Sequence, residues 1–508
     1  MKKAIMIFCT GMLLLATSCE NWLDVKPKAE IKWDVMFETE QGFKDALIGC
    51  YYNLADESVY GGALNCTFIE VLAQQYTLSS YTNFTSVAQY LYQSTAVTSY
   101  SDAIWSKLYK VLANVNALIE ATEVKGEVMH PTMRALVEAE TRSLRAYIYL
   151  DLLRMFTWGN LADRPDRADK LNGLAIPYAD TYDKNIIPQA ELKTVLQKIH
   201  EDLDAAVELF LGYDPESKIA VRPEGYPPYP GDDNFFDEKE KTKYRMNLRG
   251  AIATRMRLNM WEGNYDEAYE DAMTLQSSDY PLQWVAQTDL QEGTSQDLVL
   301  SKEMLFGLKA YDRFEQIWKP YFKRMDENDN NQNTNFLGIS EEHAHEIYER
   351  EAGFADADWR YIYWLAEKND PVFRLNKYYE TEDMTNTNNI TLLKSAEVCY
   401  TEAECLLRKG GGANKVKAVE ALNKVRKNRG LASMLLETSL PEEEVWNELE
   451  KEWRKEFIGD GQLFFYYKRM GVTSIPYTTA TCDDKVYVLP LPQAEVDFGG
   501  STDLIERK

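Results

Sequence analysis

Twice in this chain a helical pattern breaks at glycine and resumes at once. "LRGAIATRMRLNMW" runs to Trp261, Gly263-Asn264 interrupts, and "YDEAYEDAMTL" follows from Tyr265. "SAEVCYTEAECLLRK" likewise ends at Gly410-Gly411-Gly412, and "NKVKAVEALNKVRKNRG" begins directly after. Small residues at Ala268, Ala272, Ala396, Ala403, Ala418 and Ala421 fall at helical spacing and let neighbouring helices approach closely. A helix, a glycine turn and a second helix with alanines on the contact face is a tetratricopeptide-like unit. The intervals between units are irregular, so a regular solenoid is not expected. The predicted fold class is mainly α: an irregular tetratricopeptide-like helical-hairpin scaffold with long ordered loops and a few short strands.

Three more helices extend the scaffold. From Ser101 to Thr122, Leu108, Leu112, Val115 and Ile119 form one apolar stripe, with Ser101 as the predicted cap. A second spans about Thr132 to Phe156 after Pro131, and a third Gln189 to Phe210 after Pro188, with Leu192, Leu196, Ile199 and Leu203 on one face. Between the helices lie long stretches without steady period: 76–100, the proline-rich "RPEGYPPYPGDDNFF" at 222–236, and 281–370. Loops of this length are functional or disordered. Their aromatic content argues for order.

The N-terminus sets the compartment. Met1-Lys2-Lys3 is basic, Ala4 to Ala16 is apolar, and Ala16-Thr17-Ser18 precedes Cys19. The apolar run is too short to span a bilayer. It fits a signal peptide over 1–18, and a cysteine directly after small residues is the acyl acceptor of a bacterial lipoprotein. Cys19 is therefore the predicted lipid attachment site and mature N-terminus. The later cysteines, Cys50, Cys66, Cys399, Cys405 and Cys482, are odd in number and form no CxxC pair, so they predict neither a disulfide framework nor a zinc site. Cys399 and Cys405 should face different ways in a helix, as small core residues. The formal charge of −25 disfavours nucleic acid and anionic headgroups as ligands.

Catalytic signatures are weak. "HAH" at 343–345 sits in a helical context that splays the rings, and "HEIYE" lacks the second histidine of a zinc motif. No GxSxG elbow is present. "DENDNNQNTN" at 326–335 has Asn331 where a calcium loop needs glycine. The sequence thus predicts no metal and no cofactor. A carboxylate pair such as Glu402 and Glu404 would suit a glycosidase, but among 81 acidic residues pairs arise by chance.

Motifs along nearly the whole mature chain resemble the SusD/RagB family of outer-membrane nutrient-binding lipoproteins. "CENWLDVKPKAE" resembles its lipidated start. "WSKLYKVLANVNALIE", with Trp105, Tyr109, Asn114 and Asn116, and "EAETRSLRAYIYLDLLRMFTWGNL" are similar to its marker helices. The two glycine-hinged segments, "LNKVRKNRGL", "LEKEWRKEFIGDGQLFFYYKRMG" and a closing strand at "VYVLPLPQAEV" follow in the family's order. Departures occur at Asp460-Gly461-Gln462 and Phe465-Tyr466, where the family typically has Glu-Gly-Arg and Asp-Leu, and the glycine usual before the Leu248 helix is missing.

The resemblance implies a mature body over 19–508, with an N-terminal region at 19–220 and a C-terminal region at 245–508 whose loops, about 281–370, face the ligand. It implies a non-enzymatic, surface-facing, lipid-anchored outer-membrane protein. Such a protein captures oligosaccharides or peptides for a SusC-like TonB-dependent barrel transporter. A surface glycoside hydrolase is the alternative. Sugar rings pack their C–H faces on aromatic rings, so the loop aromatics Tyr81, Tyr90, Trp284, Tyr311, Trp318 and Tyr321 are the candidate ligand contacts. Trp105, Trp158 and Trp453, in or beside scaffold helices, are assigned to packing.

Overall fold

The computed structural model describes residues 33–79, 82–213, 243–323, 333–381 and 384–507. Cys19, Tyr81, the 222–236 stretch and most of the 326–335 polar run lie outside the described residues.

Helices dominate, and they pack as a succession of neighbours. The Pro131–Phe156 helix lies against Glu40–Leu54, Thr95–Lys125 and Leu192–Tyr213. Leu192–Tyr213 leads to Leu248–Glu262, and this to Tyr265–Thr274, Ser395–Lys409, Gly412–Lys427 and Glu442–Glu456 in turn. The glycine hinges behave as read. Gly263 takes φ 89° at the end of its helix, where an added Cβ would sit 2.3 Å from that of Ala162. Only a residue without a side chain closes that turn. Cys399 and Cys405 are buried on different neighbours, Cys399 against Gln276 and Cys405 against Met260, and all five described cysteines are free thiols. Trp105, Trp158 and Trp453 are all buried.

Three boundaries differ from the sequence reading. The Ser101 helix starts earlier, at Thr95. Ser94 caps it by accepting from the Val97 N–H, while Ser101 is buried inside the helix and donates to Pro490 O. Polar residues in the first two turns hid that start. Gln189–Glu191 is a strand, paired antiparallel with Leu174–Pro177, so the following helix begins at Leu192. "VYVLPLPQAEV" contains no strand: Asp484–Tyr487 and Gln493–Phe498 are short helices separated by Pro490 and Pro492, which withhold the N–H groups a ladder needs.

The long excursion between Thr274 and Ser395 leaves the scaffold and returns to it, for the two helices it separates pack together. Its base is stapled by an antiparallel ladder of Met304–Lys309 with Asn389–Lys394. A second sheet, in the order Thr77–Leu78, Leu337–Ser340, Val372–Leu375, Leu365–Ala366, ties the 76–100 region to the excursion. Among the described residues no helix is long and apolar enough to cross a membrane.

Charge holds these parts together from inside. The Arg429 guanidinium is fully buried and forks twice, onto Glu303 (2.7 and 2.8 Å) and onto Glu456 (2.8 and 2.9 Å). Glu456 also meets Arg360 (3.2 Å) and Lys394 (3.1 Å); Arg360 pairs with Asp358 and Glu452, and Arg426 with Glu452. Lys377 and Lys394 share Asp460 at 2.6 and 2.8 Å. Isolated buried charges would be costly, but here each one has an opposite partner. Burial pushes the Glu452 carboxyl upward, yet Arg360, Lys455 and Arg426 outweigh it and hold the group down to about 2.

Glu452 therefore binds protons in the unfolded chain that the native protein refuses. Its contribution is complete above the usual 4.5 and is lost as pH falls towards about 2. We expect the melting temperature to decline steeply across that window. Glu452→Gln, which leaves Arg360 and Arg426 short of a buried anion, should cost about 3–5 kcal/mol at neutral pH and flatten the acid decline in calorimetric scans. An unchanged acid profile in the variant would show that Glu452 does not carry it.

Candidate ligand-binding cleft

The excursion folds around a wide-turned π-helix, Phe314–Phe322. Pro320 inside it has no N–H to donate, so regular α pairing cannot continue through it. Asp312 starts the element by accepting from the Glu315 N–H (3.1 Å). Arg313, buried, fixes it to the scaffold: its N–H donates to Asn388 Oδ1 (2.7 Å), Nη1 to Asn389 O (2.6 Å) and Nη2 to Asn65 Oδ1 (3.2 Å).

One face of this helix borders a cleft of about 660 Å³, within the range of small-molecule sites. Phe314, Trp318 and Tyr379 supply aromatic lining; Asp312, Glu315, Lys323, Arg374 and Glu380 supply charge; Thr381, Thr387 and Asn388 supply neutral polar groups. Trp318 is nearly inaccessible, with 2% of its surface exposed. Tyr379 meets it edge-on at 5.1 Å, Phe322 stacks at 6.5 Å, and the Arg374 guanidinium lies 4.9 Å over its ring. Arg374 is in turn paired with Glu367 at 3.0 Å. Trp318 is thus the floor under an arginine rather than an open stacking surface. Tyr311, the chain neighbour of Asp312, lies outside the lining and is 78% exposed, while Phe314 and Tyr379 are half-buried. Glu380 is mostly buried and accepts from the Asn388 N–H at 2.7 Å; burial raises its carboxyl above the usual range.

The other predicted contacts lie elsewhere. Tyr321 turns to the opposite side of the same helix, against Phe84 (5.8 Å). Tyr90 donates to Leu72 O (3.0 Å) and packs on Tyr92. Trp284 rests under Arg429, whose guanidinium is 5.5 Å from its ring. Of the described candidates the structure brings Trp318 alone to the cleft lining, leaves Tyr311 exposed beside it, and leaves Tyr90, Trp284 and Tyr321 in packing positions. Tyr379, Phe314, Arg374 and Glu380 were missed. Tyr379 and Glu380 come from "NKYYE", past the 281–370 stretch taken as ligand-facing, and Phe314 carried no signal beyond being one more aromatic in that stretch.

The four side chains weighed for catalysis each have a structural neighbour. Glu402 accepts from Gln276 (2.8 Å), while Glu404 is clamped by Arg469 (2.5 and 2.7 Å) and Arg408 (3.0 Å). His343 stacks on Tyr477 at 3.5 Å, and His345 falls near Glu341 (3.9 Å) in the same helix. Among the described residues no three His, Cys, Asp or Glu side chains gather in a group able to hold a metal.

Comparison with known proteins now bears on this architecture. Residues 21–226 match a family described as "Starch-binding associating with outer membrane", and residues 312–499 match the SusD family. The chain belongs to the SusD/RagB family. A SusD superfamily protein from Bacteroides thetaiotaomicron VPI-5482 superposes with TM-score 0.66 at 18% identity, covering 92% of this chain and 100% of that one. One from Bacteroides vulgatus ATCC 8482 gives 0.68 at 18%, covering 92% and 100%. A SusD-like carbohydrate binding protein from the same organism gives 0.67 at 15%, covering 90% and 96%. At such identities these structures establish the shared fold. No curated protein matches the sequence.

In this SusD/RagB chain, Trp318 and Tyr311 should separate cleanly on mutation. Trp318→Ala removes a buried indole from between Arg374, Tyr379 and Phe322, and should cost about 3–5 kcal/mol. Tyr311→Ala removes an exposed ring and should leave the melting temperature within a degree of wild type. Equal thermal shifts for the two would contradict the assignment of Trp318 to the floor.

Proposed function

We propose that this protein is a lipid-anchored surface receptor that holds a neutral oligosaccharide in the 660 Å³ cleft and passes it to a TonB-dependent outer-membrane barrel. The observation that supports this most is the cleft's make-up. The rings of Phe314 and Tyr379 stand beside carboxylate, amide and hydroxyl groups, on an excursion pinned to a rigid scaffold. Sugar C–H faces pack on such rings while hydroxyls find Glu380, Asn388 and the threonines. Three carboxylates against two cations favour a neutral glycan over a polyanion. Affinity here is a sum of weak contacts on a preorganised surface. A carbohydrate-binding relative of the same fold and the starch-binding family description point the same way.

In this reading residues 1–18 are a leader removed at Cys19, and acylation of Cys19 tethers the body at the outer surface. The tether raises the effective concentration of protein at its transporter, so a modest contact can open and close without losing the partner. The ligand is captured rather than cleaved: Glu402 and Glu404, the carboxylates nearest to a glycosidase pair in sequence, are committed to other partners.

Titration calorimetry against a glycan panel tests the cleft. Phe314→Ala with Tyr379→Ala should weaken the bound glycan about tenfold, each ring contributing about 0.5–1.5 kcal/mol, with no reducing ends released by either protein. Full affinity in the double variant, or glycan cleavage by wild type, would overturn the proposal. For the anchor, Cys19→Ala should abolish incorporation of a fatty-acid analogue and free the body from membranes. Equal labelling of both forms would refute it.

A further inference from the structure

Away from the cleft, where the Pro131–Phe156, Leu248–Glu262, Ser395–Lys409 and Glu442–Glu456 helices meet the Leu463–Met470 segment, a small internal space of about 30 Å³ remains. It holds one or two water-sized groups. Its lining is unusual in the balance of donors and acceptors. Arg154 Nε, Trp261 Nε1 and Trp453 Nε1 are buried nitrogens without a hydrogen-bond partner. Arg257 also lines the space and is engaged with Glu397 and with the Tyr147 hydroxyl. The three unpartnered nitrogens can only donate.

Two of the acceptors at the wall already hold arginines. Glu397 takes Arg257 Nε and Nη2 at 2.8 and 2.7 Å, and Gln462 Oε1 takes Arg154 Nη2 at 2.8 Å. Arg154 keeps one carboxylate partner, Asp151 at 2.8 Å, and its guanidinium lies 3.9 Å over the Phe465 ring. Burial, with Arg257 nearby, draws Arg154 down to about 10 despite Asp151, so its positive charge is under-compensated where it stands. A water would meet the donors with its lone pairs but would bring two hydrogens needing acceptors of their own. A monovalent anion brings none and relieves the charge as well.

We propose that this space is a structural site for a halide-sized monovalent anion, held by Arg154, Trp261 and Trp453. The site is separate from the glycan cleft and does not rest on that reading. Its occupant binds the native fold and not the unfolded chain, so it stabilises by mass action.

Bromide is the probe. Crystals of the mature protein grown in sodium bromide should give an anomalous peak inside the cavity. Melting temperatures in sodium bromide and sodium chloride should exceed those in sodium gluconate of equal ionic strength by several degrees. Trp261→Phe with Trp453→Phe keeps the rings and removes two donors, and should abolish both the peak and the halide dependence. Absence of the peak in wild type, a melting temperature indifferent to the anion, or a peak that survives in the double variant would each overturn the proposal. If the double variant fails to fold, the two single variants and the wild-type bromide map decide the question by the same criteria.

Discussion

The charge cluster of the C-terminal half is centred on the shared carboxylate of Glu456. It takes Arg429 from the turn after the Gly412–Lys427 helix, Arg360 from the excursion and Lys394 from the end of the stapling strand. Three chain segments far apart in sequence thus converge on one side chain of the Glu442–Glu456 helix. Such a cluster contributes less net free energy than its number of contacts suggests, because every member must first be desolvated. Its stronger effect is on specificity. A register in which Arg429 missed Glu303 or Glu456 would leave half of its buried donors without an acceptor, so competing packings are penalised.

A similar device operates in the N-terminal half. Pro131–Phe156 is buried around nearly all its circumference, although it carries Glu140, Arg145, Asp151 and Arg154. Glu140 accepts from Tyr51 (2.6 Å), Arg145 forks onto Asp202 (2.7 Å twice), and Asp151 accepts from Tyr60 (2.9 Å). Each polar group on the helix points at a different neighbour. The placement of these charges therefore selects which helix packs on which face, a task that apolar surface alone does not specify.

The scaffold helices were legible because their signals are local. The alanine-lined pair around Gly410 to Gly412 and the hinge at Gly263 need only a few residues of context, and both appear where the pattern put them. The misses share a physical cause. Gln189–Glu191 is a strand because Leu174–Pro177 lies beside it, and Pro188 ahead of it read equally well as a helix start. The aromatic residues near the cleft were visible, but their orientation was not. Tyr321 and Trp318 are three residues apart, yet the widened turn and Arg374 decide that one packs on Phe84 and the other becomes a covered floor. Tyr379 arrives from a segment some sixty residues further on, and no local pattern pairs it with Trp318.

Anchoring explains why such a cleft can sit in an excursion of over a hundred residues. A loop of that length left free would lose much conformational entropy each time it closed on a ligand. Here the ladder from Met304 to Lys309 fixes its base, and the Arg313 bonds fix the π-helix to Asn388, Asn389 and Asn65. Glu303, Asp358, Arg360 and Lys377 fix its middle to the charge cluster. Ordering is thereby completed on folding. What stays accessible at the cleft is the rim formed by Phe314 and Tyr379, and that surface can change chemistry without touching the cluster beneath. A rigid base under a replaceable rim lets a single helical fold present different surfaces at one place, and on the proposed function the choice of ligand belongs to that rim.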